Sequence, residues 1–189
     1  RYMGVPSIFL RTFGCNFKCA GFGMPKGELS QEAASLDPTQ YTEYHNLPLV
    51  STGCDSYASW DPRFKGLSPQ VETGEIVDRI LGLLPYNEWR DEHLVITGGE
   101  PLLGWQRAFP ALLEDQRMRN LKELTFETNG TQELTPEFRQ YLLNWTLSSK
   151  TNDLGVKRGK DALTFSVSPK LSVSGEDQNV AIQPSIICS

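Results

Sequence analysis

Residues 7–13, Ser-Ile-Phe-Leu-Arg-Thr-Phe, are β-branched and aromatic without a breaker and stop at Gly14, which predicts a strand. From Thr73 the period changes. Ile76, Val77, Ile80, Leu81 and Leu84 recur at the spacing of an amphipathic helix that Pro85 closes. His93-Leu94-Val95-Ile96-Thr97 is a short apolar run ending on Gly98-Gly99, the mark of a buried strand. A helix is expected across Trp105, Phe109, Leu112 and Leu113, broken or restarted at Pro110. Leu124-Thr125-Phe126-Glu127-Thr128 predicts the next strand, ending at Asn129-Gly130. Thr135-Pro136-Glu137 then supplies an N-cap, a first-turn proline and a first-turn acid to a helix whose apolar stripe is Phe138, Leu142 and Trp145. Residues 163–168 predict a last strand, stopped by Pro169. Strand and helix alternate, so the fold class is α/β with parallel βαβ units.

The polar and glycine-rich segments sit where such a sheet builds sites. Cys15, Gly98-Gly99-Glu100-Pro101, Glu127-Thr128-Asn129-Gly130 and Ser168-Pro169-Lys170 each follow the C-terminal end of a predicted strand. Those ends gather on one face of a parallel sheet or barrel. Taken singly, Gly-Gly and Asn-Gly are ordinary turn dipeptides and a proline after a strand is ordinary punctuation. Their coincidence with the cysteines is what carries weight.

Composition narrows the function classes. With 189 residues, the chain suits one domain spanning 1–189. A formal net charge of −5 argues against broad binding to nucleic acid or to an anionic membrane. No apolar run is long enough to span a bilayer and no basic start leads into an apolar stretch, so a cytoplasmic location is expected. The sequence opens on Arg1 and ends on Ser189, and its natural ends are expected to be truncated. Four cysteines are too few for a disulfide scaffold of this length, and closely spaced cysteines in a reducing compartment are metal or redox ligands. A tetrahedral zinc site from Cys15, Cys19 and Cys54 with Cys188 or His45 is the plain competitor, but it leaves Gly-Gly-Glu-Pro unexplained. Cys188 stands outside the pattern and reads as a buried or incidental thiol.

Gly14-Cys15-Asn16-Phe17-Lys18-Cys19, Gly53-Cys54-Asp55-Ser56 and Thr97-Gly98-Gly99-Glu100-Pro101 together resemble the signature of the radical S-adenosylmethionine (SAM) superfamily. The superfamily spacing C-x3-C-x2-C is replaced here by C-x3-C-x34-C, because residue 22 is Phe and the next cysteine is Cys54. Cys54-Asp55-Ser56 leading into Tyr57 is similar to the third-cysteine segment of the 7-carboxy-7-deazaguanine synthases, and Ser168-Pro169-Lys170 matches a motif of the same family. Residues 20–53 therefore read as an insertion between the second and third cysteines.

The resemblance implies a partial (β/α) barrel of the radical SAM type and a lyase. The reaction implied is conversion of 6-carboxy-5,6,7,8-tetrahydropterin to 7-carboxy-7-deazaguanine, a ring contraction with loss of ammonia on the way to deazapurines such as queuosine. Cys15, Cys19 and Cys54 would hold three irons of a [4Fe–4S] cluster and leave the fourth for SAM, which is cleaved to a 5′-deoxyadenosyl radical. Asp55, Gly99, Glu100, Ser168 and Lys170 fall at SAM-pocket positions, with Glu100 suited to accept from the SAM ammonium. Glu127 is expected on the SAM side. Arg11 and Thr97 match substrate-binding positions, Arg11 presenting a fork to the substrate carboxylate. Ser56 matches a Mg²⁺-binding hydroxyl. The partners implied are the pterin, an electron donor such as flavodoxin and a homodimer mate, with no nucleic acid and no membrane. Family segments that hold the pterin before Gly4 and close the site at the C-terminal end are not seen in this sequence.

Two alternatives remain open from the residues: an activating enzyme that installs a glycyl radical on a partner protein, and a zinc- or cluster-stabilised module without catalysis. The insertion is polar and turn-rich, with Met24-Pro25-Lys26-Gly27 and Asp37-Pro38, and reads either as a passive excursion or as a lid or partner loop.

Overall fold

The computed structural model describes residues 3–25, 28–147, 158 and 161–188. Four parallel strands form one sheet in the order β1 (Ser7–Thr12), β2 (His93–Gly98), β3 (Glu123–Thr128) and β4 (Leu163–Val167). Each falls where its run of β-branched and aromatic residues placed it. β2 is buried along its whole length, as a central strand covered on both faces must be. Two helices pack on the sheet in the order expected: α2 (Thr73–Gly82) before β2 and α4 (Pro136–Leu147) before β4. α1 (Gln31–Ser35) lies in the insertion and α3 (Phe109–Glu114) follows β2. Thr135 caps α4, its Oγ1 accepting from the Phe138 amide at 3.2 Å, and Pro136 opens the helix where no donor is needed.

The helix expected from Trp105 starts instead at Phe109, with Pro110 in its first turn. Trp105 is held outside it, because its indole N–H donates to the Phe13 carbonyl at 2.8 Å, across to the end of β1. Val77, Ile80, Leu94, Ile96, Leu112, Leu124, Phe126, Phe138 and Leu142 form the core between the sheet and α2, α3 and α4. Phe126 is its centre, with edge contacts to Phe109 and Phe138 at centroid distances of 5.3 and 5.9 Å.

The insertion is a packed unit rather than a free excursion. Its neck is an antiparallel bridge between Phe22 and Gly53, with N–H···O distances of 3.0 and 2.7 Å in the two directions. Leu36, Tyr44, Leu47 and Val50 pack on Tyr57, Ala58 and Phe64 in a second apolar cluster, so the insertion shares a small core with the segment after Cys54. Arg63 holds α1 from that segment: its guanidinium donates to the carbonyls of Ala33, Ala34 and Leu36 at 2.9–3.1 Å while pairing with Asp61. Inside the insertion, Glu32 accepts from the Ser51 amide and hydroxyl. Asp37-Pro38 begins a short 3₁₀ turn that Asp37 caps. Of Met24-Pro25-Lys26-Gly27, Lys26 and Gly27 lie outside the described residues.

Candidate functional site

The C-terminal ends of β1 to β4 open into a cavity of about 710 Å³. The loop after each strand contributes to its wall. Cys15 and Cys19 come from the turn after β1, Gly98 and Gly99 from the end of β2, Thr128 and Asn129 from the end of β3, and Ser168, Pro169 and Lys170 from the loop after β4. The bridged neck of the insertion returns the chain so that Cys54, Asp55 and Ser56 join the same wall, despite the long gap in sequence. Arg11, Thr97 and Glu127 complete it. Every residue that the family resemblance assigns to cluster, SAM, substrate or Mg²⁺ lines this cavity except Glu100, while His45 and Cys188, the candidate fourth zinc ligands, do not.

Glu100 is fully buried and its oxygens face the protein. Oε1 accepts from the Leu102 amide at 3.0 Å and the Thr128 hydroxyl at 2.8 Å; Oε2 accepts from the Asn129 amide at 2.7 Å. Burial pushes its pKa up, and these three donors oppose that shift. In this geometry Glu100 braces the loops after β2 and β3.

The glycines next to it have a structural reason. Gly98 sits at φ +138°, and a Cβ there would lie 2.1 Å from the Thr12 carbonyl oxygen; one on Gly99 would lie 2.3 Å from the Gly14 oxygen and 2.7 Å from Cys15 Cβ. The Glu100 amide donates to that Gly14 oxygen at 2.8 Å. Gly-Gly-Glu therefore presses the end of β2 against the turn that carries Cys15, and only glycine allows the approach.

Further polar contacts fix the cysteine turn, through Asn129 of the strand-end segment and through Asn16, Thr131, Glu176 and Gln106, which no motif marked. Asn129 donates from Nδ2 to Asn16 Oδ1 at 3.0 Å, and Asn16 donates to the Thr131 hydroxyl at 3.0 Å. On the opposite side the Lys18 amide donates to Glu176 and the Ala20 amide to the Ser174 carbonyl, at 2.9 and 2.8 Å. The buried Gln106 links Leu102, Glu133 and Thr135, tying the Gly-Gly-Glu-Pro loop to the start of α4. Asn16 directly follows Cys15 and Asn129 directly follows β3, places from which such contacts could be suspected.

Desolvation raises the thiol pKa of Cys15 and pushes that of Cys19 up to about 12, while the Lys170 ammonium pulls both the other way. Among the described residues no group of three His, Cys, Asp or Glu side chains is gathered to hold a single metal ion. Three half-buried thiols spread over one cavity wall suit a cluster in which each thiolate takes a different iron, and binding would compensate the cost of deprotonating them. The donor set fits a [4Fe–4S] group. Cys188, expected as buried or incidental, is exposed and outside the cavity wall.

Mg²⁺ fits less well. Ser56 Oγ accepts from Arg11 Nη1 at 3.0 Å and lies 3.2 Å from Asp55 Oδ1, to which it donates. A hard cation wants several oxygens and no cationic neighbour, and a guanidinium occupies that side of the hydroxyl.

No family model matches the chain, and no solved structure matches it. Two curated relatives do. The chain is 33% identical over 124 residues to a 7-carboxy-7-deazaguanine synthase of Pyrobaculum aerophilum, covering 64% of this chain and 50% of that protein. It is 31% identical over 129 residues to the 7-carboxy-7-deazaguanine synthase of Halobacterium salinarum, covering 68% of this chain and 33% of that protein. The chain thus spans half or less of the length of these relatives. Over about two-thirds of its own length, the chain is similar to the 7-carboxy-7-deazaguanine synthases, the family its cysteine, Gly-Gly-Glu-Pro and Ser-Pro-Lys segments resemble.

Proposed function

We propose that the chain carries the catalytic site of a radical SAM lyase that makes 7-carboxy-7-deazaguanine from 6-carboxy-5,6,7,8-tetrahydropterin. The observation that carries the reading is the convergence of Cys15, Cys19 and Cys54 with Arg11, Thr97, Ser168 and Lys170 in one cavity at the C-terminal ends of parallel strands. The consecutive order of β1 to β4 supports a partial (β/α) barrel of the radical SAM type as the fold. Cys15, Cys19 and Cys54 would hold the cluster, which, with SAM, supplies a one-electron route to a carbon radical when bound.

The chain's own residues bind and orient. Lys170 places a positive charge near Cys15, Cys19 and Glu100, where an anionic cluster or the SAM carboxylate gains most from it. Ser168 and Asp55 add polar atoms to the cavity wall, and Gly99 lines it where the end of β2 presses against the turn of Cys15. Arg11 offers its fork to the substrate carboxylate, with Thr97 beside it on the neighbouring strand, and Glu127 lines the cavity on the SAM side. Ser56 Oγ would be open to Mg²⁺ once the Arg11 guanidinium had turned from it to the substrate carboxylate. An electron donor such as flavodoxin and a homodimer mate would complete the working system.

Anaerobic reconstitution with iron and sulfide, followed by EPR with and without SAM, tests the reading together with mass detection of 7-carboxy-7-deazaguanine. A SAM-perturbed [4Fe–4S] signal and the deazaguanine product are expected. A chain that takes up zinc but no cluster would overturn it, as would a Cys54→Ala variant that keeps its iron while Cys188→Ala loses it.

A further inference from the structure

The loop after β4 doubles as a strap on the cysteine turn. Past Ser168-Pro169-Lys170 at the cavity wall, the chain makes a short 3₁₀ turn, Ser172–Ser174, that Gly175 ends at φ +85°. The turn is braced internally: the Ser174 amide and hydroxyl donate to the Leu171 carbonyl at 2.8 and 2.7 Å, and the Gly175 amide donates to the Ser172 carbonyl at 3.1 Å. The left-handed step at Gly175 redirects the chain. Glu176 Oε1 then accepts from the Lys18 amide at 2.9 Å, while the Ser174 carbonyl accepts from the Ala20 amide at 2.8 Å. The half-buried Cys19 is thus flanked on both sides by amides that the same strap holds. A backbone carbonyl suffices for Ala20, and any neutral oxygen would suffice for Lys18. A carboxylate at that place also brings a charge, on a partly buried side chain where water screens it less than in the open. The charge is felt at the cysteine: burial is the main cause of the raised Cys19 pKa, the Lys170 ammonium opposes it and the Glu176 carboxylate adds to it. A like charge beside a thiolate ligand does not help it bind iron, so the hydrogen bond alone leaves the choice of Glu unexplained.

Resting on the functional reading above, we infer that Glu176 is a positioning residue for the second cluster cysteine: through the Lys18 amide it fixes the turn, and its carboxylate sets a negative charge beside Cys19 that keeps the cluster strongly reducing. Reduction adds an electron to the cluster, and a fixed carboxylate nearby opposes the added charge, so the potential becomes more negative. An electron that is to cleave a sulfonium such as SAM has to come from a strongly reducing donor. Lys170, at the other end of the same strap, acts on Cys19 in the opposite sense, and the potential reflects the difference between the two charges.

Glu176→Gln keeps an oxygen for the Lys18 amide and removes only the charge. In the reconstituted variant, iron and sulfide per chain are expected to equal the parent's, and an EPR-monitored redox titration without SAM is expected to give a less negative midpoint. Asp177→Asn removes a charge one residue further on and keeps an oxygen for the Asn179 amide that Asp177 caps; its midpoint is expected to stay at the parent's. Glu176→Ala loses the acceptor as well as the charge. It is expected to hold less iron than Glu176→Gln, with the midpoint of its loaded fraction shifted in the same direction. The midpoint is read from whatever fraction carries a cluster, so incomplete loading does not hide the result. An unshifted midpoint in both Glu176 variants, or an equal shift in Asp177→Asn, overturns the inference while leaving the function standing, and so does full iron in Glu176→Ala. A parent that takes up no cluster overturns both the function and the inference, and iron analysis identifies that case.

Discussion

Arg11 Nη1 donates to Ser56 Oγ at 3.0 Å, joining the end of β1 to the turn that follows Cys54. The two residues lie 45 positions apart in sequence, and the insertion neck brings them together. The contact orders the guanidinium at the cavity wall without using its full fork, since only one of its five N–H donors goes to the Ser56 oxygen. A carboxylate entering the cavity would find a pre-placed partner.

Arg11→Lys keeps the charge and loses the bidentate fork. Binding of the carboxypterin, measured by calorimetry on the anaerobically reconstituted chain, is expected to weaken about 10-fold or more, the loss of one charge-assisted hydrogen bond of roughly 1.5–3 kcal/mol. Iron per chain should not change. Unchanged affinity would return Arg11 to the role of a strand residue that happens to meet Ser56. Ser56→Ala is the companion: a Mg²⁺ response of turnover that survives it would place that ion elsewhere.

Glu100 yields a different kind of prediction, because its carboxylate is spent on protein donors. Glu100→Gln has nearly the same shape but turns one acceptor oxygen into an NH₂ facing Thr128 or Asn129. At least one buried donor is then left unpaired, at about 1–3 kcal/mol. Urea unfolding of the apo protein should show that loss. A variant of parental stability with weakened SAM binding would instead restore the direct role toward the SAM ammonium.

How far the sequence reached can be seen from these same residues. The strands were legible because β2, β3 and the start of β1 are apolar runs ended by Gly or Asn-Gly, and buried parallel strands need little else. The cavity wall was legible because strand ends converge whatever the loops contain. The burial of Glu100 was not, since an acid between Gly-Gly and Pro looks like an exposed turn residue until Thr128 and Asn129 are seen to reach it from another strand. Nor was the order within the insertion. Leu36, Tyr44, Leu47 and Val50 follow neither helical nor strand period, because each packs on residues 57–67 rather than on a neighbour in its own element.

Arg63 tests that packing directly. It is partly exposed, yet it spans Asp61 and three carbonyls at the end of α1. Arg63→Ala is expected to cost about 1 kcal/mol after allowance for solvent screening, and to make the insertion the first place a protease cuts. Limited proteolysis with mass mapping reads this out. Cleavage rates within 23–52 equal to the parent's would show that the apolar cluster alone holds the insertion down.

Acid stability should carry the mark of Asp115. Hydrogen bonds from the Arg117 guanidinium and amide lower its pKa from 3.8 to about 2 in the folded chain. A depressed carboxylate stabilises the fold above its unfolded pKa, and the contribution is lost as pH falls toward the folded value. Thermal midpoints should therefore fall between about pH 4 and 2 more steeply in the parent than in Asp115→Asn, which keeps a turn-capping oxygen but does not titrate. Equal slopes would mean that Arg117 draws nothing from Asp115 in solution.

The longest reach of the fold depends on two glycines at the insertion neck. Gly21 stands at φ +80°, and a Cβ there would lie 2.0 Å from the carbonyl carbon of Gly53, with no side chain able to give way. Gly53 is held at φ +92° against Ser30 in turn. Gly21→Ala adds left-handed strain of roughly 1–2 kcal/mol and forces the two backbones apart. Since Cys54 follows Gly53 directly, the expected result is a third thiol displaced from Cys15 and Cys19 while the sheet stays intact. Iron per chain after reconstitution should fall to less than about half, with far-ultraviolet circular dichroism unchanged and the apo thermal midpoint lower. Gly104→Ala separates the two causes, because Gly104 has φ +80° but open space around it and so pays strain without the clash. Full iron in Gly21→Ala, or the same iron loss in Gly104→Ala, would mean that the neck does not set the position of Cys54.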